Sequence, residues 1–501
     1  MQIERVIEGI KNQGWYAGQI EHLEIIPERR AEYGEPHLGE EMKEYLDRQG
    51  LQLFAHQAEA IDLINDGQNV VITTPTASGK TLAFNVPIFT RMMKDPESRA
   101  LYVYPTKALS QDQLEKMEEM EAGLGLDINP AVYDGDTPRS RRPKIRDKSR
   151  IIISNPYGLH QYLEWHGKWR NFFTNLDYVV LDEVHSYRGV FGSNVAMLIR
   201  RLKRIFELYG SDPEFVLSSA TIANPVEHAE KLVGEDFSLV SRDTSFRGRK
   251  NFIFWNPLNY PDLSIHSQTS KLVSHLVDLG LQTLCFTQSR RTSELVAGWS
   301  SGISDKSIQA YRAGYRPRER RKIERGLRDG EIRGVAATNA LELGVDIGGL
   351  DAVILSGYPG TITSSWQQAG RAGRGERDSL VILLGFENPL DQFFMKHPRE
   401  FFDRDHEHAI LDLENPKITA GHLACAATEM PIREDEELGW KYPDEIERLE
   451  EEGILHGTPK GEIFTGTFRA SGVIKLDAIS EDTVKVLHNG ELLETMDLSQ
   501  A

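Results

Sequence analysis

Residues 74–81 combine the residue types and the order that bind phosphate groups. The sequence TPTASGKT follows an apolar run at residues 70–73 and leads into the helix-favouring residues LAF. In such a strand–loop–helix, backbone N–H groups cradle the phosphates, Lys80 reaches the β and γ oxygens, and the Thr81 hydroxyl joins the Mg²⁺ shell. Thr74 stands where such loops begin with glycine, so an ordinary strand–turn–helix remains the alternative for this string alone. The predicted nucleotide-binding residues here are Thr76, Ala77, Ser78, Gly79, Lys80 and Thr81.

Two adjacent carboxylates, Asp182 and Glu183, follow a second apolar run, LDYVVL at residues 176–181. The carboxyl ends of strands in open α/β sheets form the edge where ligands bind. We expect Asp182 to hold Mg²⁺ and Glu183 to orient and deprotonate an attacking water. A solvated acidic strand end is the alternative interpretation. The Asp-Glu pair occurs roughly a hundred residues after a phosphate loop, and the combination of the two motifs favours hydrolysis of a nucleoside triphosphate.

A third group, WQQAGRAGRGER at residues 366–377, could supply positive charge to the same reaction. Arg371 and Arg374 are three residues apart and share a helical face, and Gln367 lies one turn before Arg371. Guanidinium groups that reach a γ-phosphate neutralise charge in the transition state. A Gly/Arg loop on a basic surface is the alternative. The predicted catalytic residues are Lys80, Asp182, Glu183, Gln367, Arg371 and Arg374.

Short apolar, β-branched runs must position these groups. Stretches long enough for a helix separate the runs, which is typical of buried parallel strands joined by crossover helices. The pattern restarts after a polar stretch, so the sequence predicts two successive α/β units. The predicted strands are residues 70–73, 101–104, 151–154, 178–181 and 215–218 in the first unit, and 283–286, 334–337, 352–355 and 380–384 in the second.

The remaining segments differ in composition from these two units. A polar, helix-prone start precedes them, an acidic helical segment follows them, and short alternating runs separated by Gly, Ser and Asn end the chain as predicted hairpins. The predicted organisation is an N-terminal extension at 1–50, a first domain at 51–240, a linker at 241–267, a second domain at 268–400, a helical segment at 401–460 and a β-rich segment at 461–501.

Composition excludes several classes of protein. The chain has 501 residues and is 40% hydrophobic, so it can bury several ordinary cores. Its 58 basic and 76 acidic residues give a net charge of −18, which argues against a uniformly basic nucleic-acid wrapper but allows local basic clusters. Cys285 and Cys425 lie far apart, which excludes a disulfide scaffold or a four-cysteine zinc site within this chain. We find neither an apolar signal core nor a membrane span, and expect a cytoplasmic protein.

The order of the motifs resembles that of superfamily-two helicases over about residues 51–400. The motifs are HQ at 56–57, TASGKT at 76–81, PTKAL at 105–109, SNPYGLH at 154–160, DEVH at 182–185, SSAT at 218–221, LCFTQSRR at 284–291, ATNALELGVDIGGLD at 337–351 and QQAGRAGR at 367–374. Within that superfamily, DEVHSYRGVFGSN, YRAGYRPRER and SGYPGTITSSWQQAGRAGR are similar to the MrfA/YprA-type, RecQ-related branch of DNA-repair helicases.

This resemblance implies two tandem RecA-like domains that bind ATP and Mg²⁺ between them, with the helical segment as a candidate winged-helix module. It implies ATP-dependent 3′–5′ translocation on single-stranded or 3′-tailed DNA. Gln57 would read adenine and Asp346 would join the nucleotide site, while His185, Ser219 and Thr221 would couple hydrolysis to DNA. The implied nucleic-acid contacts are Thr106, Lys107, Ser154, Asn155, Thr287, Arg290, Arg312, Thr338 and Asn339.

Two departures from the family pattern and two alternative functions stay open. Gln368 stands where many relatives carry Arg, and the zinc module that usually ends the branch has no cysteines here, which suggests a shortened chain. An RNA-directed ATPase and a nucleotide-gated DNA clamp without unwinding are the alternatives. Basic clusters at 141–150, 200–204 and 316–322 are further candidates for DNA contact, although such runs are usually solvated surface.

Overall fold

The strands form two seven-stranded sheets and two hairpins in the part of the chain that the computed structural model describes, residues 3–312, 314–342, 347–373, 377–477, 483–488 and 491–497. The strands are β1 Ile20–Ile26, β2 Val70–Thr73, β3 Arg99–Val103, β4 Ala131–Val132, β5 Ile151–Ser154, β6 Leu176–Leu181, β7 Glu214–Ser219, β8 Ser238–Val240, β9 Lys250–Trp255, β10 Thr283–Thr287, β11 Ile308–Tyr311, β12 Gly334–Ala337, β13 Ala352–Ser356, β14 Ser379–Leu384, β15 Leu455–Thr458, β16 Gly461–Phe464, β17 Thr483–His488 and β18 Glu491–Asp497.

Helices connect the strands and cover both faces of each large sheet. They are α1 Ile3–Lys11, α2 Glu40–Arg48, α3 Ala55–Asn65, α4 Lys80–Lys94, α5 Lys107–Leu124, α6 Arg142–Lys148, α7 Pro156–Tyr162, α8 Arg170–Thr174, α9 Gly189–Tyr209, α10 Pro225–Val233, α11 Ile265–Asp278, α12 Arg290–Ser301, α13 Pro317–Arg328, α14 Ile362–Ala369, α15 Pro389–Lys396, α16 Pro398–Asp403, α17 Pro416–Glu429, α18 Glu437–Lys441, α19 Pro443–Glu451 and α20 Ala470–Val473. No helix among the described residues is both long and apolar enough to cross a bilayer.

The first sheet is entirely parallel, in the order β4-β5-β3-β6-β7-β2-β8. Alternate residues of its strands enter two apolar layers, with Val71 and Leu101 in one and Ile72 and Tyr102 in the other. Burial on both faces explains why these strands have unbroken apolar sequences. The order makes β6, β7 and β2 neighbours, so the residues that follow these three strands meet at one part of the sheet edge.

The second sheet has the order β1-β9-β14-β13-β10-β12-β11 and is parallel except for β1, which pairs antiparallel with β9. The carboxyl ends of β10, β12 and β11 are therefore adjacent, and α14 follows β13 on the other half of the sheet. Every strand predicted from the sequence overlaps an observed strand in one of the two sheets. The prediction of two tandem parallel α/β domains is confirmed.

Two segments differ from their predicted roles. The stretch 241–267, predicted as a linker, contains β9, which is fully buried between β1 and β14. The N-terminal extension is divided between the domains, because α1 packs with Trp255 in the second core and α2 packs in the first. The pairing between β1 and β9 joins residues more than 220 positions apart, so no local pattern reveals it.

Helices α17, α18 and α19, followed by the hairpin β15–β16, form the segment after the second domain. Its apolar core includes Leu423, Leu438 and Leu455, and Met197 of α9 in the first domain packs into it. The second strand of the hairpin begins at Gly461, so the predicted boundary at residue 460 falls inside one structural unit. A second antiparallel hairpin, β17–β18, confirms the β-rich C-terminal piece.

Candidate functional site

The phosphate loop, residues 74–81, takes the tight course that its sequence predicted. Ala77 and Gly79 have positive φ angles of 68° and 83°, which turn the chain sharply before α4. A Cβ atom on Gly79 would lie 2.4 Å from Nε2 of Gln57, so only glycine fits there. The hydroxyls of Thr74 and Ser78 are 2.6 Å apart and bond across the loop. Thr74 therefore closes the loop by a side-chain bond, although the family pattern has glycine there.

Gln57 and His56 hold this loop against α3. The Gln57 Nε2 donates to the Gly79 carbonyl at 2.8 Å, and its Oε1 accepts from the Phe54 N–H at 2.8 Å. His56 Nε2 lies 3.0 Å from the Ser78 carbonyl, and its Nδ1 lies 2.8 Å from the Thr244 hydroxyl. Gln57 thus sits beside the nucleotide loop as predicted, and His56 is a second contact that the sequence reading did not assign.

Lys80 lies between the loop and the acidic pair. Its Nζ donates to the carbonyls of Thr74 at 2.7 Å and Pro75 at 3.1 Å. Burial lowers the pKa of Lys80, and the charges of Glu183 and Asp182 oppose that shift. The ammonium and the two carboxylates therefore share one electrostatic environment.

Asp182 and Glu183 are both withdrawn from water at the end of β6. Burial, and then the neighbouring Glu183 charge, raise the pKa of Asp182 to about 7, and burial also raises the pKa of Glu183. Oδ1 of Asp182 accepts from the Ser218 hydroxyl and from the Glu183 N–H, the latter at 2.9 Å. Glu183 has a φ of 54°, which turns its side chain out of the strand direction. Ser218, the first residue of SSAT, was not predicted as a site residue.

The oxygen donors here fit a Mg²⁺ ion. Thr81 is the last residue of the phosphate loop, and Asp182 directly follows β6 on the same sheet edge. Mg²⁺ prefers hydroxyl, carboxylate, phosphate and water oxygens. Both bonds to Asp182 use Oδ1, so Oδ2 can turn to a cation. A divalent charge beside a carboxyl whose pKa is raised to about 7 would favour its ionised form.

A contact between the domains joins His185 to Gln367. The Gln367 side-chain amide lies 2.7 Å from Nε2 of His185, and the Ala220 N–H donates to Nδ1 at 3.1 Å. Burial and the Lys80 charge lower the pKa of His185 to about 3, so the ring is neutral. A neutral ring that accepts at Nδ1 carries its proton on Nε2, and the Gln367 atom that faces Nε2 is the amide nitrogen, so the amide oxygen would accept that proton only after the amide turns by 180°. His185 thus links the acidic pair, the SSAT segment and α14.

Arg371 is fully buried at the same interface. It donates to the Glu342 carbonyl at 3.2 Å and 2.6 Å, and its charge acts on Glu183, lowering that residue's pKa against burial. A Cβ on Gly370 would lie 3.6 Å from the side chain of Thr76, which places QQAGR against the phosphate loop. Gln368 donates to a Glu342 carboxylate oxygen at 3.0 Å, so it has a structural partner where relatives carry Arg. Asp346 and Arg374 lie outside the described residues.

The predicted coupling residues Ser219 and Thr221 lie beside this interface. Ser219 is buried, and its hydroxyl donates to the Ala220 carbonyl at 2.6 Å. The Thr221 carbonyl accepts from the Thr363 hydroxyl of α14 at 3.4 Å. The segment therefore contacts the second domain through its backbone.

Of the four nucleic-acid contacts predicted in the first domain, two side chains are exposed and two are buried. Thr106 and Lys107 begin α5 at the surface, and Lys107 pairs with Asp136 at 2.7 Å. Ser154 is buried and donates to the Tyr133 carbonyl at 2.7 Å, and Asn155 is buried and accepts from the Gly158 N–H at 2.9 Å to cap α7. Both side chains form bonds inside the first domain, and their contact with nucleic acid stays a prediction.

In the second set, four of the five predicted side chains are not buried. Arg290 begins α12, Asn339 is exposed, Thr338 is half-buried, and Arg312 pairs with Glu294 at 3.0 Å. Thr287 is the exception, because it is buried and its hydroxyl donates to the Ala337 carbonyl at 3.2 Å. All of them follow or end β10, β11 or β12, on the half of the second sheet away from α14.

A cleft of about 830 Å³ lies between the two domains. Acidic residues of α5, together with Asp134, Asp136 and Glu324, line it alongside basic residues of both domains. The basic residues that line it are Lys107, Arg141, Lys144, Lys148, Arg320, Arg321, Arg325 and Arg328. Parts of two predicted basic clusters, 141–150 and 316–322, thus face a shared opening.

The basic cluster at 200–204 has a different role from the one predicted. Arg201 and Glu429 are both fully buried and form an ion pair, and Arg204 pairs with Glu436 at 2.9 Å. Arg200 pairs with Glu437 at 3.0 Å. These arginines attach α17 and the start of α18 to α9, and burial removes them from contact with DNA.

Comparison with known proteins assigns three parts of the chain to families. The DEAD/DEAH box helicase family matches residues 54–229, and the helicase conserved C-terminal domain matches residues 267–376. The winged helix domain of ATP-dependent helicase HRQ1 matches residues 411–466. The third match confirms the winged-helix interpretation of α17 to β16.

Curated relatives are similar over most of this chain. An uncharacterized ATP-dependent helicase, YprA, from Bacillus subtilis is 44% identical over 471 residues, which are 91% of this chain and 62% of the relative. ATP-dependent helicase HRQ1 from Saccharomyces cerevisiae is 37% identical over 86% of this chain and 42% of its own length. The chain thus spans less than two thirds of the length of these two relatives.

Solved structures of one helicase superimpose closely. The crystal structure of the DUF1998 helicase MrfA bound to DNA and AMPPNP has a TM-score of 0.91 and 40% identity, covering 99% of this chain and 72% of that one. A further crystal structure of the DUF1998 helicase MrfA has a TM-score of 0.75 and 38% identity, covering 93% of this chain and 69% of that one.

Proposed function

Because this chain belongs to the MrfA/YprA-type ATP-dependent helicases, we propose that it moves 3′ to 5′ along single-stranded DNA, separates duplexes and acts in DNA repair. The observation that carries the proposal is the contact between Gln367 of the second domain and His185, three residues beyond Asp182. Groups from both domains meet at one cleft, so hydrolysis there can depend on the position of one domain relative to the other.

The chain's own residues have distinct parts in the proposed hydrolysis. Lys80 exchanges its two carbonyl partners for phosphate oxygens of ATP. Thr81 and Asp182 would hold Mg²⁺, which would supply positive charge beside the phosphates. Glu183 accepts the proton of the attacking water as the new P–O bond forms and the bond to the β-phosphate oxygen breaks. Arg371, with Arg374, offsets the charge that develops on the γ-phosphoryl group.

Two observations support binding of a nucleic-acid strand, and a third favours DNA over RNA. The 830 Å³ cleft carries basic side chains from both domains, which suits phosphate contacts that hold a strand without reading its sequence. Thr106, Lys107, Arg290, Arg312, Thr338 and Asn339 follow strands on the same half of the two sheets. The high similarity to DNA-bound MrfA favours DNA over RNA. A protein with this substrate would work in the cytoplasm, associated with the nucleoid if its host is a prokaryote.

Strand release and ATP turnover, measured on matched substrates, test this proposal. We expect single-stranded DNA to stimulate turnover more than RNA of the same sequence, and a 3′-tailed duplex to be separated while a 5′-tailed duplex is not. Stimulation by RNA alone would favour an RNA-directed ATPase. Turnover on DNA without strand release would favour a nucleotide-gated clamp, and the absence of turnover on either would overturn the proposal.

A further inference from the structure

Helix α14 carries Gln367 to the cleft and leads directly to Arg371. It has only eight residues, and a helix this short has little stability of its own in water. Its position must therefore come from the groups that hold its ends. The groups that hold it bond the free N–H groups at its N-terminus and a carbonyl in its last turn.

Glu407 binds the N-terminus of α14. Its carboxylate oxygens accept from the Ile362 N–H at 2.5 Å and the Thr363 N–H at 3.0 Å. Burial opposes ionisation of Glu407, but the amides of Thr363 and Ile362 outweigh it and lower the pKa of that carboxyl. A carboxylate at this end also interacts favourably with the helix dipole.

Lys250 of β9 binds the opposite end. Its Nζ donates to the Ala369 carbonyl at 2.8 Å, in the last turn of α14. Burial lowers the pKa of Lys250 to about 8, so this ammonium group sits in an environment that disfavours charge. Charged side chains of opposite sign thus hold the two ends of α14, each with the sign that complements the dipole.

The segment that carries Glu407 also binds the first domain. The Glu407 carbonyl accepts from the Ala223 N–H at 3.3 Å, two residues after Thr221. The Asn224 side chain bonds the backbone of Ala409 at 2.9 Å and 3.1 Å. The Ile410 carbonyl accepts from the Gly189 N–H at 2.8 Å, at the start of α9. Residues 407–410 therefore connect the start of α14 to the first domain beside SSAT, and we call them the bridging segment.

We propose that Glu407 is a positioning residue for ATP hydrolysis, which fixes α14 relative to the first domain so that Gln367 and Arg371 meet the acidic pair. This inference rests on the proposed ATPase function. Glu407 acts through α14, because its carboxylate contacts the backbone of Ile362 and Thr363. The bridging segment makes that position depend on how residues 223–224 lie in the first domain.

Steady-state kinetics of three variants of the full chain test the proposal. Glu407→Ala removes both acceptors, Glu407→Gln keeps one oxygen without the charge, and Asp405→Ala removes an exposed acid from the neighbouring chain as a matched control. We expect the DNA-stimulated kcat to fall about 10- to 100-fold in Glu407→Ala, because a small misplacement of reacting groups has effects of that size. We expect the kcat of Glu407→Gln to lie between those of Glu407→Ala and the parent, and the kcat of Asp405→Ala to equal that of the parent.

A purely structural role would give a different pattern. We expect the affinity of Glu407→Ala for a fluorescent ATP analogue, and its unfolding temperature, to stay close to those of the parent. Parental kcat in Glu407→Ala would overturn the inference, as would a loss of kcat accompanied by an equal loss of nucleotide affinity. If Glu407→Ala does not fold, Glu407→Gln decides, and parental kcat there overturns the inference. A parent protein without ATP turnover would instead overturn the proposed function, and this inference with it.

Discussion

Glu183 is the residue of this site to which we assign the role of general base. It is buried beside Asp182 and Lys80, and its backbone turns the side chain out of β6. We expect Glu183→Gln to lower ATP turnover by about 100- to 10,000-fold, the usual contribution of a general base, while nucleotide binding persists. Phosphate release and a nucleotide titration measure the two effects.

Asp177→Asn is the matched control for Glu183→Gln. Asp177 lies on the same strand, and its carboxylate pairs with Arg91 at 3.0 Å away from the cleft. We expect parental turnover in this variant. Equal turnover in Glu183→Gln and Asp177→Asn would contradict the role of Glu183.

His160 makes stability depend on pH. It is buried, its Nδ1 lies 3.0 Å from Arg201 Nη1, and its Nε2 lies 3.0 Å from the Ser471 carbonyl. Burial and then the Arg201 charge lower its pKa to about 3 from 6.5. The unfolded chain therefore binds more protons between these pH values, and the free energy of unfolding falls as the pH drops below about 6.5.

The size of this effect follows from the two pKa values. From pH 8 to pH 5, His160 accounts for a loss of about 2 kcal/mol in the free energy of unfolding. We expect His160→Gln, which cannot titrate, to lose correspondingly less stability over that range in urea unfolding. An identical pH dependence in parent and variant would refute this assignment.

At the scale of elements, most buried parallel strands were predictable, but β9 and the short edge strand β4 were not. Strands such as β5 and β14 have unbroken apolar sequences because both of their faces are covered. β9 contains the apolar run FIFW, but it begins at Lys250, the last residue of the polar RGRK stretch, and pairs with the distant β1. β4 has only two residues, too few for a pattern.

The positions of site residues were predictable where a sequence motif fixes the backbone, and less predictable where tertiary packing sets the direction of a side chain. The phosphate loop and the acidic pair directly follow strands that the apolar runs predicted. The Ser154 side chain is directed inward to the Tyr133 carbonyl that follows β4, and the Asn155 side chain caps α7. Ser218, Glu342 and Glu407 acquire their contacts only when distant segments meet.

The interface between α9 and α17 makes a further prediction at this scale. Arg201 and Glu429 are both fully buried, and Arg201 also contacts His160 and His422. Removing one partner leaves a buried charge uncompensated, so we expect Glu429→Ala to lower the free energy of unfolding by about 3–5 kcal/mol. Replacing the pair with Arg201→Met and Glu429→Leu together should restore much of that loss, because no buried charge remains unpaired. A double variant less stable than Glu429→Ala in denaturant unfolding would contradict this account.

At the scale of the whole molecule, the winged-helix segment and the second domain are attached to the first domain in different ways. Buried ion pairs hold α17 and α18 to α9. The second domain meets the cleft through α14 and its polar contacts with His185 and Thr221. We therefore expect the first domain and the winged-helix segment to move together, with the second domain as the moving partner.

ATP turnover with and without single-stranded DNA, measured in parallel on the parent and Glu183→Gln, tests most directly whether the two domains form one DNA-dependent hydrolytic cleft. We predict a severalfold rise in the parental kcat on addition of DNA, and almost no turnover in the variant under either condition. Turnover in the parent that is the same with and without DNA, or that survives in Glu183→Gln, would contradict the account.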